Sequence, residues 1–154
     1  MFAVNNAGKR LVAATVQKSP ALGCLSGRFK SSSAASKSPI LRLETQDPRM
    51  SKVVIHNDVV YLSGLIDTTG KDVVAQTKNV LTQIDDLLTE AGTSKSNLLT
   101  ASIWLKDIQA DFGSMNKVWV EWLDPDCKPV RATVQSPMAL PEILVEIQVT
   151  AATG

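Results

Sequence analysis

Alternating apolar and polar residues divide the chain from about residue 40 onward into short strands separated by turn residues. Three segments, 40–45, 52–56 and 59–66, follow a period of two and are predicted to be strands. Asn57 and Asp58 lie between the second and the third segment and predict a two-residue hairpin turn there. The first third of this body is therefore expected to be sheet.

Apolar residues that recur at steps of three and four predict two amphipathic helices. The first helix is expected to follow the turn that ends at Gly70 and to stop at Gly92. Its predicted buried stripe comprises Val73, Thr77, Val80, Leu81, Ile84, Leu87, Leu88 and Ala91. The second helix has Asp107 as its predicted N-cap. Its stripe comprises Phe112, Met115, Trp119, Trp122 and Leu123, and we interpret it as core packing and not as a cofactor site.

One strand is predicted between the helices, at 97–105, and two more follow the second helix, at 130–135 and 144–149. The resulting order is β-β-β-α-β-α-β-β. This order predicts an α+β fold in which a mainly antiparallel six-stranded sheet carries both helices on one face.

The strand at 97–105 distinguishes the two faces of the sheet. The residues that should face the helices are Leu99, Ala101, Ile103 and Leu105. Thr100, Ser102 and Trp104 then project from the face that no helix covers. Because this face mixes polar and large apolar groups, we expect a second copy of the chain to bury it in a small homo-oligomer.

The last two strands are predicted to pair as a hairpin around a loop centred between Ala139 and Leu140. Alternation points Val130, Ala132, Val134, Val145, Ile147 and Val149 towards the helices. It places Arg131, Thr133 and Glu146 on the uncovered face, with the arginine and the glutamate about 7 to 8 Å apart along a diagonal. One interpretation is a cross-strand ion pair, which the spacing alone favours. The other is a pocket where the guanidinium holds a substrate carboxylate while Glu146 handles a water or a proton.

Charge is distributed unevenly along the 154 residues. Residues 1–41 contain six basic and no acidic residues, whereas the remainder contains ten basic and fifteen acidic residues, a formal charge of −5. The basic, Ser- and Ala-rich start predicts an organellar transit peptide over 1–40, mitochondrial in preference to plastid, with cleavage after Phe29 or a little later. The alternative is a disordered N-terminal segment without a targeting signal, on a cytoplasmic protein. Residues 41–154 then form the functional domain.

Composition excludes several classes of protein. The 44% of apolar residues can build the core of one domain, and no apolar run approaches the roughly 20 residues needed to cross a bilayer. Cys24 and Cys127 provide neither a disulfide framework nor zinc-ligand spacing in the body. The acidic body is a poor match to nucleic acid, which is normally bound by basic surface.

Five segments of the body together resemble the YjgF-like (RidA) family. They are VVYLSGLID, QTKNVLTQIDDLLTEAG, NLLTASIWLKDIQADFGSMNKVW, PVRATV and LVEIQVTAA, and the match runs from about residue 42 to 154. The motifs S-G, D-F-x-x-M-N, P-x-R-A-T and V-E-I in this order make the resemblance specific. It implies a chorismate-mutase-like fold, a homotrimer with active sites between neighbouring subunits, and neither a metal nor an organic cofactor.

The resemblance also implies a 2-iminobutanoate/2-iminopropanoate deaminase-like hydrolase, which converts reactive enamine and 2-imino acids to a 2-oxo acid and ammonia. Arg131 corresponds to the arginine that binds the substrate carboxylate, and Glu146 to the glutamate that positions or activates water. Ser63 and Gly64 correspond to the S-G strand motif that lines the pocket. The implied partners are a 2-imino acid and further copies of the chain, without nucleic acid or membrane.

Three positions of the expected pocket wall depart from the family pattern. Met50 stands where a tyrosine is usual, Leu65 where a glutamine is frequent, and Thr133 where a cysteine often stands two residues after the arginine. These departures indicate a divergent subgroup, with Thr133 among the substrate-binding residues, and they leave open whether its preferred imine is bulkier, slower to react or of an unknown kind. The alternative function is a non-catalytic trimer that binds small carboxylates or metabolites as a regulator, since it would use Arg131 in the same way.

Overall fold

A computed structural model describes residues 39–154, and residues 1–38, which hold most of the predicted transit peptide, lie outside this part of the chain. The strands are β1 (Leu41–Leu43), β2 (Val53–His56), β3 (Val59–Leu62), β4 (Leu65–Ile66), β5 (Leu98–Leu105), β6 (Val130–Gln135) and β7 (Val145–Ala152). The helices are α1 (Val73–Glu90) and α2 (Ile108–Trp122), and a 3₁₀ turn covers Lys95–Asn97. None of the helices in this part combines the length and the apolar character that a membrane span requires.

The local signals for turns and caps are confirmed. Asn57 and Asp58 take left-handed backbone angles, with φ of 48° and 62°, and form the turn between β2 and β3. Asp107 caps α2 by accepting hydrogen bonds from two backbone N–H groups of its first turn, at 3.0 and 3.1 Å. Gly92 follows α1 with a φ of 75°, a conformation that favours glycine.

All seven strands belong to one sheet, and β7 lies at its centre. The order is β1-β2-β3-β7-β5-β6, and β4 pairs with the first half of β7. Every pair is antiparallel except β5 and β6. The predicted α+β class is confirmed, and the strand predicted at 59–66 is divided at Ser63 and Gly64 into β3 and β4.

Both helices pack on one face of the sheet and form one core with it. Its members include Val60, Leu62, Ile84, Leu88, Ile103, Leu105, Met115, Trp119, Ile147 and Val149. The stripe predicted for α1 is confirmed, whereas Phe112 of α2 is 39% exposed and Val118 is buried in the core. An irregularity between Leu98 and Thr100 buries Leu98 and leaves Leu99 exposed, so the prediction that Leu99 faces the helices is wrong.

The opposite face of the sheet is not covered by any element of the described part of the chain. Trp104, Thr100 and Ser102 project from it, as the alternation predicts. The hydroxyl groups of Thr100 and Thr150 are hydrogen-bonded at 2.6 Å between β5 and β7 on this face. Tyr61 also projects from it and is 45% exposed.

The predicted hairpin between the last two strands is wrong. β5 lies between β6 and β7, and β6 runs along the exposed edge of the sheet. Strands that are neighbours in sequence usually pair, which is why the pattern favoured a hairpin. Here α2 carries the chain across the sheet after β5, and such a crossover returns the next strand parallel to the first. Arg131 and Glu146 are therefore not on adjacent strands.

Candidate functional site

Glu146 projects from the uncovered face of the central strand. It alternates with Val145 and Ile147, which are fully buried beneath the helices. Ile66 of β4 is its register partner on one side and Trp104 of β5 on the other. Because cross-strand partners stand about 4.5 to 5.5 Å apart between Cβ atoms, this half-buried carboxylate is held between two large apolar side chains.

The break between β3 and β4 makes room for this carboxylate. A Cβ added to Gly64 would collide with Oε1 of Glu146 and would lie 3.0 Å from its Cδ. The N–H of Ser63 donates to the carbonyl of Lys52 at 2.9 Å, but the buried Ser63 Oγ has no hydrogen-bond partner among the described residues. A glycine at a strand interruption is typical of places where another group approaches the backbone closely. Gly64 of the predicted S-G motif thus lies against Glu146.

A cavity of about 610 Å³ opens beside Gly64 and Glu146. Its other lining residues are Arg49, Met50, Ile66, Ala139, Leu140 and Ile143. The loop that leads into β7 is anchored by Gln76, which is 1% exposed. Its Nε2 donates to the carbonyl of Glu142 at 2.8 Å, and its Oε1 accepts from the N–H of Leu144 at 2.8 Å. The wall of the cavity is therefore tied to α1 by a buried side chain.

Of the positions that depart from the family pattern, Met50 lines the cavity and Leu65 does not. Met50 lines this cavity and is 46% exposed. Leu65 pairs with Ile147, is 5% exposed and faces the helices, so the expectation that it forms part of the pocket wall is wrong. Since successive residues of a strand point to opposite faces, its neighbour Ile66 lines the cavity instead.

An exposed ion pair borders the same cavity. Arg49 donates from Nε and Nη2 to the two carboxylate oxygens of Asp47, at 3.0 and 2.8 Å. This bidentate pairing lowers the pKa of Asp47 from its usual 3.8 to about 2 and raises the pKa of Arg49. The positive charge at the rim is thus compensated by its neighbour.

Arg131 lies at the exposed edge of the sheet and points to the helix-covered side, so the prediction that it shares the uncovered face with Glu146 is wrong. Its register partner is Ala101, whose side chain is buried beneath the helices. The guanidinium carbon stands 5.4 Å from the ring centroid of Trp119. Partial burial lowers the pKa of Arg131, although a guanidinium remains charged at neutral pH. No carboxylate pairs with it in the described part of the chain, so the ion pair with Glu146 is not formed.

A second cavity, of about 440 Å³, opens beside Arg131. It is also lined by Asn116, Trp119, Val120, Leu123, Pro125, Lys128 and Pro129. Two buried polar atoms in this region, Oδ1 of Asn116 and Oγ1 of Thr133, have no hydrogen-bond partner among residues 39–154. The sequence alone does not decide whether Asn116 fixes a nearby strand or contacts a ligand. The only indication of a functional role is its position as the last residue of the motif D-F-x-x-M-N. Its cavity position now groups it with Arg131.

The predicted site residues form two groups. Gly64 lies against Glu146, which projects from the uncovered face, and Ser63 is next to Gly64 in the chain; Arg131 and Thr133 lie on the helix-covered side of the edge strand. One copy of the chain therefore presents the guanidinium and the carboxylate on opposite faces of its sheet. Within the described residues, no cluster of three or more His, Cys, Asp or Glu side chains could hold a metal ion.

Comparison with known proteins places this body in a family. A family model described as Endoribonuclease L-PSP matches residues 44–153. RutC family protein YoaB of Escherichia coli is 42% identical over 113 residues, which cover 73% of this chain and 97% of that protein. Protein mmf1, mitochondrial, of Schizosaccharomyces pombe is 32% identical over 131 residues, 79% of each chain. The 3-aminoacrylate deaminase RutC of Acinetobacter baylyi is 33% identical over 98 residues, 59% of this chain and 76% of that one.

A solved structure agrees with these matches. The crystal structure of a YjgF-family protein from Neisseria meningitidis superposes with a TM-score of 0.73 at 39% sequence identity. The superposition covers 75% of this chain and 96% of that one. The similarity therefore spans almost the whole of the described body.

Proposed function

The chain belongs to the YjgF (RidA) family, and on that premise we propose that it is a hydrolytic deaminase of reactive 2-imino acids. Water adds to the imine carbon and forms a C–O bond, which gives a tetrahedral carbinolamine. The C–N bond then breaks and the nitrogen leaves as ammonia. R–C(=NH)–COO⁻ and H₂O thus give R–CO–COO⁻ and NH₃, without an oxidant or a reductant. An enamine such as 2-aminoacrylate enters the same route once it has tautomerised to the imine.

Arg131 binds the substrate carboxylate in this proposal. Its guanidinium is partly desolvated over Trp119 and has no acidic partner among the described residues. A planar guanidinium can hold a carboxylate by two parallel hydrogen bonds. Asn116 and Thr133 bring further polar atoms to the same region. These groups orient the imine and leave its carbon open to water.

Glu146 positions the attacking water and transfers protons. Its carboxylate lies against Gly64, between Ile66 and Trp104, at the wall of a cavity large enough for a ligand. An imine conjugated to a carboxylate is already electrophilic, so general acid-base catalysis is sufficient and no covalent intermediate with the protein is required. Ser63 directly precedes Gly64, and its buried hydroxyl group has no partner among the described residues.

The sheet separates these two groups, so we propose that each site combines two copies of the chain. The edge strand of one subunit brings Arg131 to the face that carries Glu146 in its neighbour. Head-to-tail contacts of this kind close into a ring when the rotation allows it, and the proposed ring is a homotrimer. This arrangement would also bury Trp104 and the rest of the uncovered face. Light scattering is expected to give the mass of three chains, and a monomeric mass would contradict it.

The observation that carries the proposal is the distribution of buried polar atoms without partners. Ser63 directly precedes Gly64, against which the carboxylate of Glu146 lies, whereas Asn116 lines the cavity beside Arg131 and Thr133 shares the face of β6 with Arg131. In the described residues only one further side-chain atom of this kind occurs, Nδ1 of His56. Because each unpaired buried group costs roughly 1 to 3 kcal/mol, the presence of three of the four at or beside predicted site residues supports a functional role for these positions.

The proposal is tested by generating 2-aminoacrylate in situ with a dehydratase and following release of the 2-oxo acid with the full chain. Wild type is expected to accelerate release, Arg131→Ala to raise KM, and Glu146→Gln to lower kcat by at least about tenfold. Arg42→Ala and Glu90→Gln are matched controls, since both residues are exposed and lie outside the two cavities. No acceleration by wild type, or unchanged kcat in Glu146→Gln, would refute the deaminase proposal.

A non-catalytic protein that binds small carboxylates is the second candidate, favoured by the departures at Met50 and Thr133 from the pattern of the deaminases. Both functions use Arg131, so binding does not separate them, and only turnover that depends on Glu146 does. Strand cleavage of RNA is the activity named in the description of the family model. Residues 42–154 carry a formal charge of −5, and RNA is normally bound by basic surface. We therefore expect no RNA cleavage by the purified protein.

We also propose that residues 1–40 direct the protein to the mitochondrion and that 41–154 form the family domain. The basic, acid-free composition of the start supports this, and the relative from Schizosaccharomyces pombe is named as mitochondrial. Mass spectrometry of the protein from cells is expected to find an N-terminus near or beyond Phe29. A chain that still begins at Met1 would contradict the proposal.

A further inference from the structure

The cavity beside Glu146 is walled mainly by apolar side chains. Ile66 is the register partner of Glu146, so the apolar surface begins next to the carboxylate. Met50 and Leu140 line the same cavity and remain 46% and 45% exposed. Large apolar side chains that are exposed around a concave surface are typical of a ligand site or an interface. This wall therefore offers apolar surface that a bound group would remove from water.

The dimensions and the charges of the cavity restrict that occupant. Its volume of about 610 Å³ lies within the range of roughly 300 to 1,000 Å³ found for sites that enclose drug-sized ligands, and is larger than a three-carbon acid requires. Arg49 is the basic residue of the lining, and its guanidinium is already engaged by both oxygens of Asp47. A second carboxylate placed there would meet the charge of Asp47. An apolar group is therefore preferred to an acidic one.

Resting on the deaminase activity proposed above, we propose that this wall binds the side chain of 2-imino acids derived from large apolar amino acids such as leucine. The imine carbon lies at Glu146, and the carboxylate extends towards Arg131 of a neighbouring copy. The side chain of the substrate then packs on Ile66, Met50 and Leu140. A methyl group would leave the two outer side chains in water, whereas a four-carbon branched group covers them and removes more apolar surface from water.

The test compares imines that an amino acid oxidase generates in situ from alanine, leucine and glutamate, with semicarbazide as the competing trap and the full chain as the enzyme. The kcat/KM for the leucine-derived imine is expected to exceed that for the alanine-derived imine by at least about tenfold, since each methylene in an apolar pocket is worth about tenfold or more. Leu140→Ser is expected to lower this ratio by about fivefold or more. Phe112→Ser is the matched control, because Phe112 is exposed to a similar extent on α2 and lines neither cavity.

The outcomes separate the two proposals. Equal or better hydrolysis of the alanine- or glutamate-derived imine would overturn the inference on specificity and leave the deaminase activity standing. A Leu140→Ser variant that loses activity on all imines equally and changes its mass in solution would assign the wall to subunit contact and would also overturn the inference. If no imine is hydrolysed faster than without protein, both proposals fail.

Discussion

Replacing Gln76 by leucine tests whether the wall of the Glu146 cavity is anchored from α1. The buried amide makes three hydrogen bonds to backbone groups of two loops. It donates to the carbonyls of Gly70 and Glu142 at 3.1 and 2.8 Å, and it accepts from the N–H of Leu144 at 2.8 Å. Leucine has a similar volume but can make none of these bonds.

The expected cost follows from these three bonds. A buried hydrogen bond contributes about 1 kcal/mol net, and a buried donor left without a partner costs a further 1 to 3 kcal/mol, approximately. Burial of the apolar leucine side chain offsets about 1 kcal/mol or somewhat more of this loss of stability. We therefore expect Gln76→Leu to lower the free energy of unfolding by about 3 to 5 kcal/mol.

Urea unfolding at one fixed protein concentration measures this change, because the concentration affects the apparent stability of an oligomer. With m near 1 to 3 kcal/mol per molar urea, the midpoint should fall by about 1 M or more at constant m. Gln83→Leu is the matched control on the same helix, where the side chain makes a single bond of 3.2 Å to the carbonyl of Ile66. A loss for Gln76→Leu no larger than that for Gln83→Leu would refute the anchoring argument.

Three further predictions concern single positions. Gly64→Ala should displace the flexible carboxylate of Glu146 and lower kcat for imine hydrolysis by about tenfold or more, while the melting temperature changes little, because the end of a long side chain can move aside. Gly92→Ala should cost about 1 kcal/mol of stability in urea unfolding, since φ is 75° there, and should leave kcat/KM unchanged. The pKa of Asp47 is about 2 in the folded chain, below its usual 3.8, so its contribution to stability is present above about pH 4 and is lost as the pH falls towards 2. An NMR titration should find that midpoint, and Arg49→Gln should move it up towards 3.8; an unchanged midpoint would contradict the role given to Arg49.

The elements themselves could be predicted from the sequence because their signals are local. The stripe of α1, the cap at Asp107 and the turn at Asn57 and Asp58 each depend on residues within a few positions of one another. The break at Ser63 and Gly64 was not predicted, although glycine in a strand often marks such an interruption. Leu99 was assigned to the wrong face because alternation alone does not reveal an irregularity between two pairs.

The pairing of the strands could not be predicted from the sequence, and this decided the geometry of the site. Periodicity fixes which residues of one strand share a face, but not which strand lies beside it. Once β6 is parallel to β5 at the edge, Arg131 faces the helices, while Glu146 faces away from them on β7. The motifs selected the candidate residues, and the topology separates these residues into two groups within one chain.

Mixing two impaired variants, at an imine concentration well below the KM of Arg131→Ala, tests the central claim that a carboxylate-binding arginine and a water-positioning carboxylate from two copies form each deaminase site. Arg131→Ala and Glu146→Gln are combined in equal amounts by unfolding and refolding together, and native mass spectrometry verifies that mixed trimers have formed. A random ring of three then restores both intact residues in one quarter of the sites, so about 25% of wild-type imine hydrolysis is expected. Mixed trimers whose activity at that concentration is no higher than that of either variant alone would contradict the shared site.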